Sequence, residues 1–129
     1  MKIKNSLLLL FALLSIQIGF AQHKISIDGV WKDDNAAVSN AVAIFSEQDN
    51  NQVVFAHYLE WNDQKFIENG IGIRDGNTIT YTVKVTTPIE GWATEGIHTL
   101  VISSDGKRLE GTYSDNKNRS GAITFIKVN

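Results

Sequence analysis

The stretch KFIENGIGIRDGNTITYTVKVTT, residues 65–87, decides how the whole chain is read. On its second arm Ile79, Tyr81 and Val83 alternate with threonines, and β-branched residues run throughout. A period of two puts alternate side chains on opposite faces, which is the signature of a half-buried strand. At the centre stands Asp75-Gly76-Asn77. Asp-Gly tolerates the positive φ that tight, primed turns require, so it is the strongest hairpin signal in the chain. The stretch therefore predicts two antiparallel strands, 65–74 and 78–87. Gly70 and Gly72 lie two apart on one face of the first arm, where missing side chains let a strand bend sharply.

The same period extends in both directions, with turn residues about every ten positions. Residues 25–32 predict a first strand with Ile25, Ile27, Gly29 and Trp31 on one face, and residues 33–40 a polar, alanine-rich loop. Strands 41–47 and 52–61 pair across Asp49-Asn50-Asn51, and Asn62-Asp63 turns the chain into the stretch quoted above. Beyond it, the only proline, Pro88, opens a longer loop, 88–95, that holds Gly91 and Trp92. Strands 96–103, 108–115 and 121–128 follow, separated by Asp105-Gly106 and a polar loop at 116–120. No amphipathic helix, linker or low-complexity tract interrupts this series. Eight hairpin-linked strands fit an all-β, eight-stranded antiparallel up-and-down barrel, which leaves no open sheet edge. The alternative is a β-sandwich, but Greek-key sandwiches usually need longer crossovers than these turns supply.

The first residues form a separate unit. Lys2 and Lys4 precede an apolar run over residues 7–18, and Gly19-Phe20-Ala21 puts small residues where a signal peptidase reads them. The run is too short to span a bilayer, which takes roughly 20 apolar residues. Residues 1–21 therefore read as a cleaved secretory signal and residues 22–129 as one domain, with Gln22 as the new N-terminus. No cysteine stands near the cleavage point to carry a lipid, so no membrane insertion is expected after cleavage.

Losing Lys2 and Lys4 takes the formal charge from −2 to −4. That mild acidity argues against nucleic acid, whose phosphates need a basic face. The chain has no cysteine at all, whereas small secreted eukaryotic domains usually lean on disulfides. An exported bacterial protein, periplasmic or secreted and held by its own core, fits better. Thiol catalysis and thiolate metal sites are excluded with the cysteines.

Gly29-Val30-Trp31, on the first strand of such a barrel, resembles the calycin superfamily of lipocalins, fatty-acid-binding proteins and avidins. The resemblance implies a lipocalin-like barrel in which Trp31 plugs the closed end, with Lys127 on the last strand as the basic residue lying over it. Leu109-Glu110-Gly111-Thr112-Tyr113 also looks like an avidin-type strand, but it stands near the C-terminus, so no biotin-site residue is carried over.

His57 is the most informative single residue. It shares the apolar phase of Val53, Phe55, Leu59 and Trp61 and so points inward, as His98 does beside Leu100 and Ile102. Each is either a core histidine paired with a tyrosine or backbone group, or a polar contact for a ligand. Two histidines are too few for a catalytic zinc, which takes three protein donors, and His23 lies in the new N-terminus. No metal and no cofactor is therefore expected. Tyr81 and Tyr113 also fall in the inward phase, as core residues or as polar points in a pocket. Trp61, at a strand end, and Trp92, in the longest turn, are either lids on the barrel end or anchors for a partner. Asn116-Lys117-Asn118-Arg119-Ser120-Gly121 lacks the closing glutamate of a calcium loop and reads as a hairpin. Carboxylates such as Asp33 and Asp34 read as solvated loop charge.

No catalytic triad, phosphate loop or metalloprotease motif is present. The expected role is thus an exported non-enzymatic binding module, its barrel lined by Trp31, Phe55, His57, Tyr81, His98 and Tyr113 around a small apolar or amphipathic ligand. Such a role calls for a cavity of a few hundred cubic ångströms. The alternative is a protein-interaction or inhibitor module engaging another exported protein through Trp61 and Trp92.

Overall fold

The computed structural model describes residues 23–129; the predicted signal lies outside them. Eight strands run β1 Gly29–Asp33, β2 Ser39–Glu47, β3 Gln52–Trp61, β4 Gln64–Asp75, β5 Thr78–Val85, β6 Glu95–Ile102, β7 Arg108–Asp115 and β8 Ser120–Lys127. They close in sequence order into one antiparallel up-and-down barrel, with β1 returning to pair with β8. The expected barrel is the observed fold, and the sandwich is not. Among the described residues no helix is long and apolar enough to cross a membrane.

The turns carry the chemistry that the barrel needs. Trp61 pairs with Gln64 across Asn62 and Asp63, both at positive φ (49° and 61°), the conformation of a type I′ hairpin. Gly70 and Gly72 make room for the neighbouring strand. A Cβ at Gly70 would stand 1.8 Å from the Thr82 carbonyl oxygen, and one at Gly72 would stand 2.1 Å from that of Thr80. Glycine is what lets β4 and β5 approach so closely.

The first strand differs most from its prediction. It begins at Gly29, not residue 25, and residues 25–28 cross the end of the barrel as an extended strap. Ile27 is completely buried there, and Ile25 packs against the same core. Arg74 Nη1 donates to the Ile25 carbonyl at 2.7 Å, and the Trp31 indole donates to that of Ile27 at 2.9 Å. Alternating isoleucines bury one face of an extended chain equally well with or without a neighbouring strand, so the period alone overstated the strand. At the other end of the hairpin β5 stops at Val85, where the chain leaves for the long loop at residues 86–94.

The strap closes one end, and aromatic residues fill that half of the interior. Phe45 is the hub, with its ring centroid 5.0 Å from Phe55, 5.6 Å from Tyr81, 5.7 Å from Phe125 and 6.3 Å from Trp31. Val53, Ile79, Leu100, Ile102 and Leu109 complete this core. Lys127 Nζ lies 5.3 Å from the centre of the Trp31 ring, the arrangement implied by the resemblance, and a cation there gains from the ring's negative face. Buried Arg74 anchors the same end through Glu47 and the Gly76 carbonyl.

Candidate functional site

The opposite end of the barrel is open. Its rim is formed by the loops at residues 34–38, 62–63, 86–94 and 116–119, and beneath them lies a cavity of about 180 Å³. This is smaller than the few hundred cubic ångströms expected, because the aromatic cluster occupies the whole lower half.

Three strands each bring an ionisable group to the cavity floor. His57 on β3 and Glu68 on β4 are direct partners across the ladder, and both side chains point inward. Ala43 stands opposite His57 on β2 and Trp31 opposite Ala43 on β1. Asp33 follows Trp31 by two residues on β1 and therefore faces the same interior. The imidazole of His57 lies between the two carboxylates, with Nε2 3.4 Å from Asp33 and Nδ1 3.4 Å from Glu68. His57, Glu68 and Asp33 are 2%, 6% and 7% exposed.

Both contacts are long for a hydrogen bond. Neither ring nitrogen of His57 makes a directed hydrogen bond. The carboxylates are better held. Asp33 accepts from the Asn35 amide at 2.8 Å, and Glu68 accepts from the Trp92 indole N–H at 2.7 Å.

The electrostatics divide the two acids. Burial pushes the Asp33 carboxyl above its ordinary value, with His57 and the Asn35 amide opposing in part. Glu68 is buried too, but the His57 contact and the Trp92 indole outweigh desolvation and hold its carboxyl below the usual range. His98 is pushed down to about 4 by burial, against the attraction of Glu68, so it is neutral at pH 7. Its Nδ1 is hydrogen-bonded to the Tyr81 hydroxyl at 3.0 Å, and burial raises that phenol well above its ordinary value.

The residues singled out from sequence separate into three groups. His57, His98 and Tyr113 line the cavity. Trp31, Phe55 and Tyr81 do not; each is at most 1% exposed, packed in the closed half. They fill the barrel where they were expected to line a site. Trp61 and Trp92 stand at the mouth with ring centroids 5.2 Å apart, and Trp92 also packs 5.3 Å from Phe66. Trp92 is thus a lid residue turned inward, its indole nitrogen bound to the floor. The loop at 116–119 is the expected hairpin, tied by the Asp115 carboxylate accepting from the amides of Lys117 and Arg119.

Asp33 and Glu68 were missed. The sequence reads Asp33 as solvated loop charge, yet it ends β1 in phase with Trp31, pairs with Phe125 of β8 and is buried. Glu68 is in phase with Phe66 and Gly70 on β4. An acidic residue on the inward phase was the available signal.

Among the described residues no three histidine, aspartate or glutamate side chains converge as a metal site would require. The floor cluster is instead a row, with an imidazole between two carboxylates. What it can do chemically is offer fixed negative charge and hydrogen-bond acceptors inside an apolar, aromatic-walled chamber. Comparison of the chain with protein-family models, with curated proteins and with solved structures finds no match, so the geometry of this chamber is the ground for a functional reading.

Proposed function

We propose that the protein is an exported, non-enzymatic binding module that holds one small amphipathic ligand in the open half of its barrel. One observation carries the reading: the cavity is floored by His57, almost wholly buried, with both ring nitrogens lacking a directed hydrogen bond. Buried polar groups are normally satisfied, and a ligand's polar end supplies what is missing. The apolar part then lies against Leu59, Val83 and the two tryptophans. A wholly apolar occupant would leave the floor charges desolvated without compensation. Kinship with the calycins is part of the proposal, supported by the closed eight-stranded barrel with Trp31 under Lys127.

A second reading, a protein-interaction module acting on another exported protein, is favoured by the outer face of β2 and β4. Ile44, Ile71 and Ile73 are 53%, 57% and 65% exposed there, and apolar surface of this kind marks interaction sites when contiguous. Native mass spectrometry of protein purified from its own source separates the two. A co-purifying small molecule, lost when Val83→Phe narrows the cavity it lines, supports the first reading. A protein partner retained by that variant, with no small molecule in either sample, overturns the first and supports the second.

A further inference from the structure

We infer that the ligand of this cavity is a small organic cation, a protonated amine on an apolar body about the size of one ring. The inference deepens the binding reading above and rests on it.

Charge is the first ground. Two carboxylates flank one imidazole on the floor; Glu68 is held in its charged form, and with Asp33 also ionised the trio carries −1 or −2 according to the state of His57. The remaining charges around the chamber do not offset this. Arg119 is paired with Asp115 at 2.9 Å, and Glu95 at the rim meets only an exposed lysine, Lys84, at 3.5 Å. His98 is neutral. A bound carboxylate or phosphate would face Asp33 and Glu68 at short range in a low-dielectric space, whereas an ammonium would be attracted by both.

The walls are the second ground. Trp61 and Trp92 incline towards each other at 58° over the mouth, and Tyr113 lines another side. Aromatic faces attract cations, and they do so more strongly where water is excluded. Arg119 already stands 5.5 Å from the centre of the Trp92 ring, so that indole is one on which a cation settles.

The third ground is an unfilled acceptor: in its neutral form His57 keeps one ring nitrogen with a lone pair that an ammonium N–H can fill. His57 is 2% exposed, lines the cavity, and has no directed hydrogen bond at either nitrogen. A floor of carboxylates satisfied within itself would point to no ligand; this floor is incomplete. Size sets the remaining limit. A cavity of about 150 Å³ accommodates benzene, so about 180 Å³ admits one ring with a short polar arm.

The test keeps shape constant and varies charge. Benzylammonium, benzyl alcohol and benzoate are titrated separately into the isotope-labelled protein, following the indole signals of Trp61 and Trp92 and the imidazole signals of His57 and His98. The expected result is benzylammonium at least ~10-fold tighter than benzyl alcohol, as charge-assisted hydrogen bonds imply, with benzoate weakest. Glu68→Gln and Asp33→Asn, which keep shape and remove charge, each reduce that preference several-fold. Benzyl alcohol or benzoate binding as tightly as the ammonium overturns the cation but leaves a binding cavity standing. No shift of these signals with any of the three also overturns the cation. In that case the native mass spectrum decides separately whether a small molecule of another class occupies the cavity. The unmodified protein answers the question even if a variant fails to fold.

Discussion

A single buried imidazole shows how the interior sets chemistry. His98 has an ordinary value of 6.5 and is pushed down to about 4 in the folded protein, chiefly by burial. The unfolded chain therefore takes up a proton that the folded chain refuses. The sign follows: His98 costs nothing above about pH 6.5, destabilises the fold as pH falls from there to about 4, and adds no further loss below. The full loss amounts to about 3 kcal/mol. Asp33 acts in the opposite sense, because its raised carboxyl binds a proton in the folded state before it would in the unfolded chain. Glu68, held low, loses its stabilising contribution only at more acid pH. His98→Gln can keep a hydrogen bond to Tyr81 and cannot titrate. Denaturant unfolding at about pH 7 and about pH 4.5 should show the variant losing about 2–3 kcal/mol less than the parent. Equal losses in the two proteins would show that His98 is not the titrating group.

At the scale of elements, the loop between β5 and β6 is the part with a functional geometry. Its Trp92 reaches down to Glu68 and packs on Trp61 and Phe66, while the loop's edge is pinned by Thr94 and Asn116. One indole hydrogen bond thus joins the lid to the charged floor. Trp92→Phe preserves ring packing and removes the donor, leaving a buried carboxylate oxygen short of a partner, at a cost of about 1–3 kcal/mol. Hydrogen exchange should quicken across residues 86–94 with the amides of β2 and β3 unchanged. Protection lost evenly over the barrel would argue that Trp92 is an ordinary core residue and no latch. The element scale also shows where sequence reading was accurate. β3 and β7 were bounded correctly because each lies between turns with clear residue preferences. β1 was misjudged because an extended strap and a paired strand share one period.

For the whole molecule, the two ends of the barrel divide the work. The closed half, with five interlocking aromatic rings and the strap, supplies the kind of stability that disulfides give small secreted domains. The open half carries the charged floor and the lid. This division bears on export, because the predicted cleavage after Ala21 stops just short of the strap. Ile27 is wholly buried and Ile25 packs on the core, so trimming further into the chain would unplug the barrel. The proposed export therefore predicts that N-terminal sequencing of the protein from the periplasm or medium begins at Gln22. A start beyond Ile27 would contradict the structural role given to the strap, and an unprocessed Met1 would contradict the reading of the signal.

The sequence by itself determined the number of strands, nearly all of the turns, and the inward face of the strands that carry Trp31, His57, Tyr81, His98 and Tyr113. Those properties depend on neighbours within a few residues: side-chain alternation and the φ preferences of Asp, Asn and Gly. It also placed His57, His98 and Tyr113 on the interior. Only the tertiary structure decided that Trp31, Phe55 and Tyr81 fill one half while His57 faces the other. Only it brought Asp33 from β1 and Glu68 from β4 to opposite sides of one imidazole. The reason is physical. Which inward residues meet depends on the tilt and stagger with which eight strands close, a property of the whole ring that no local pattern encodes.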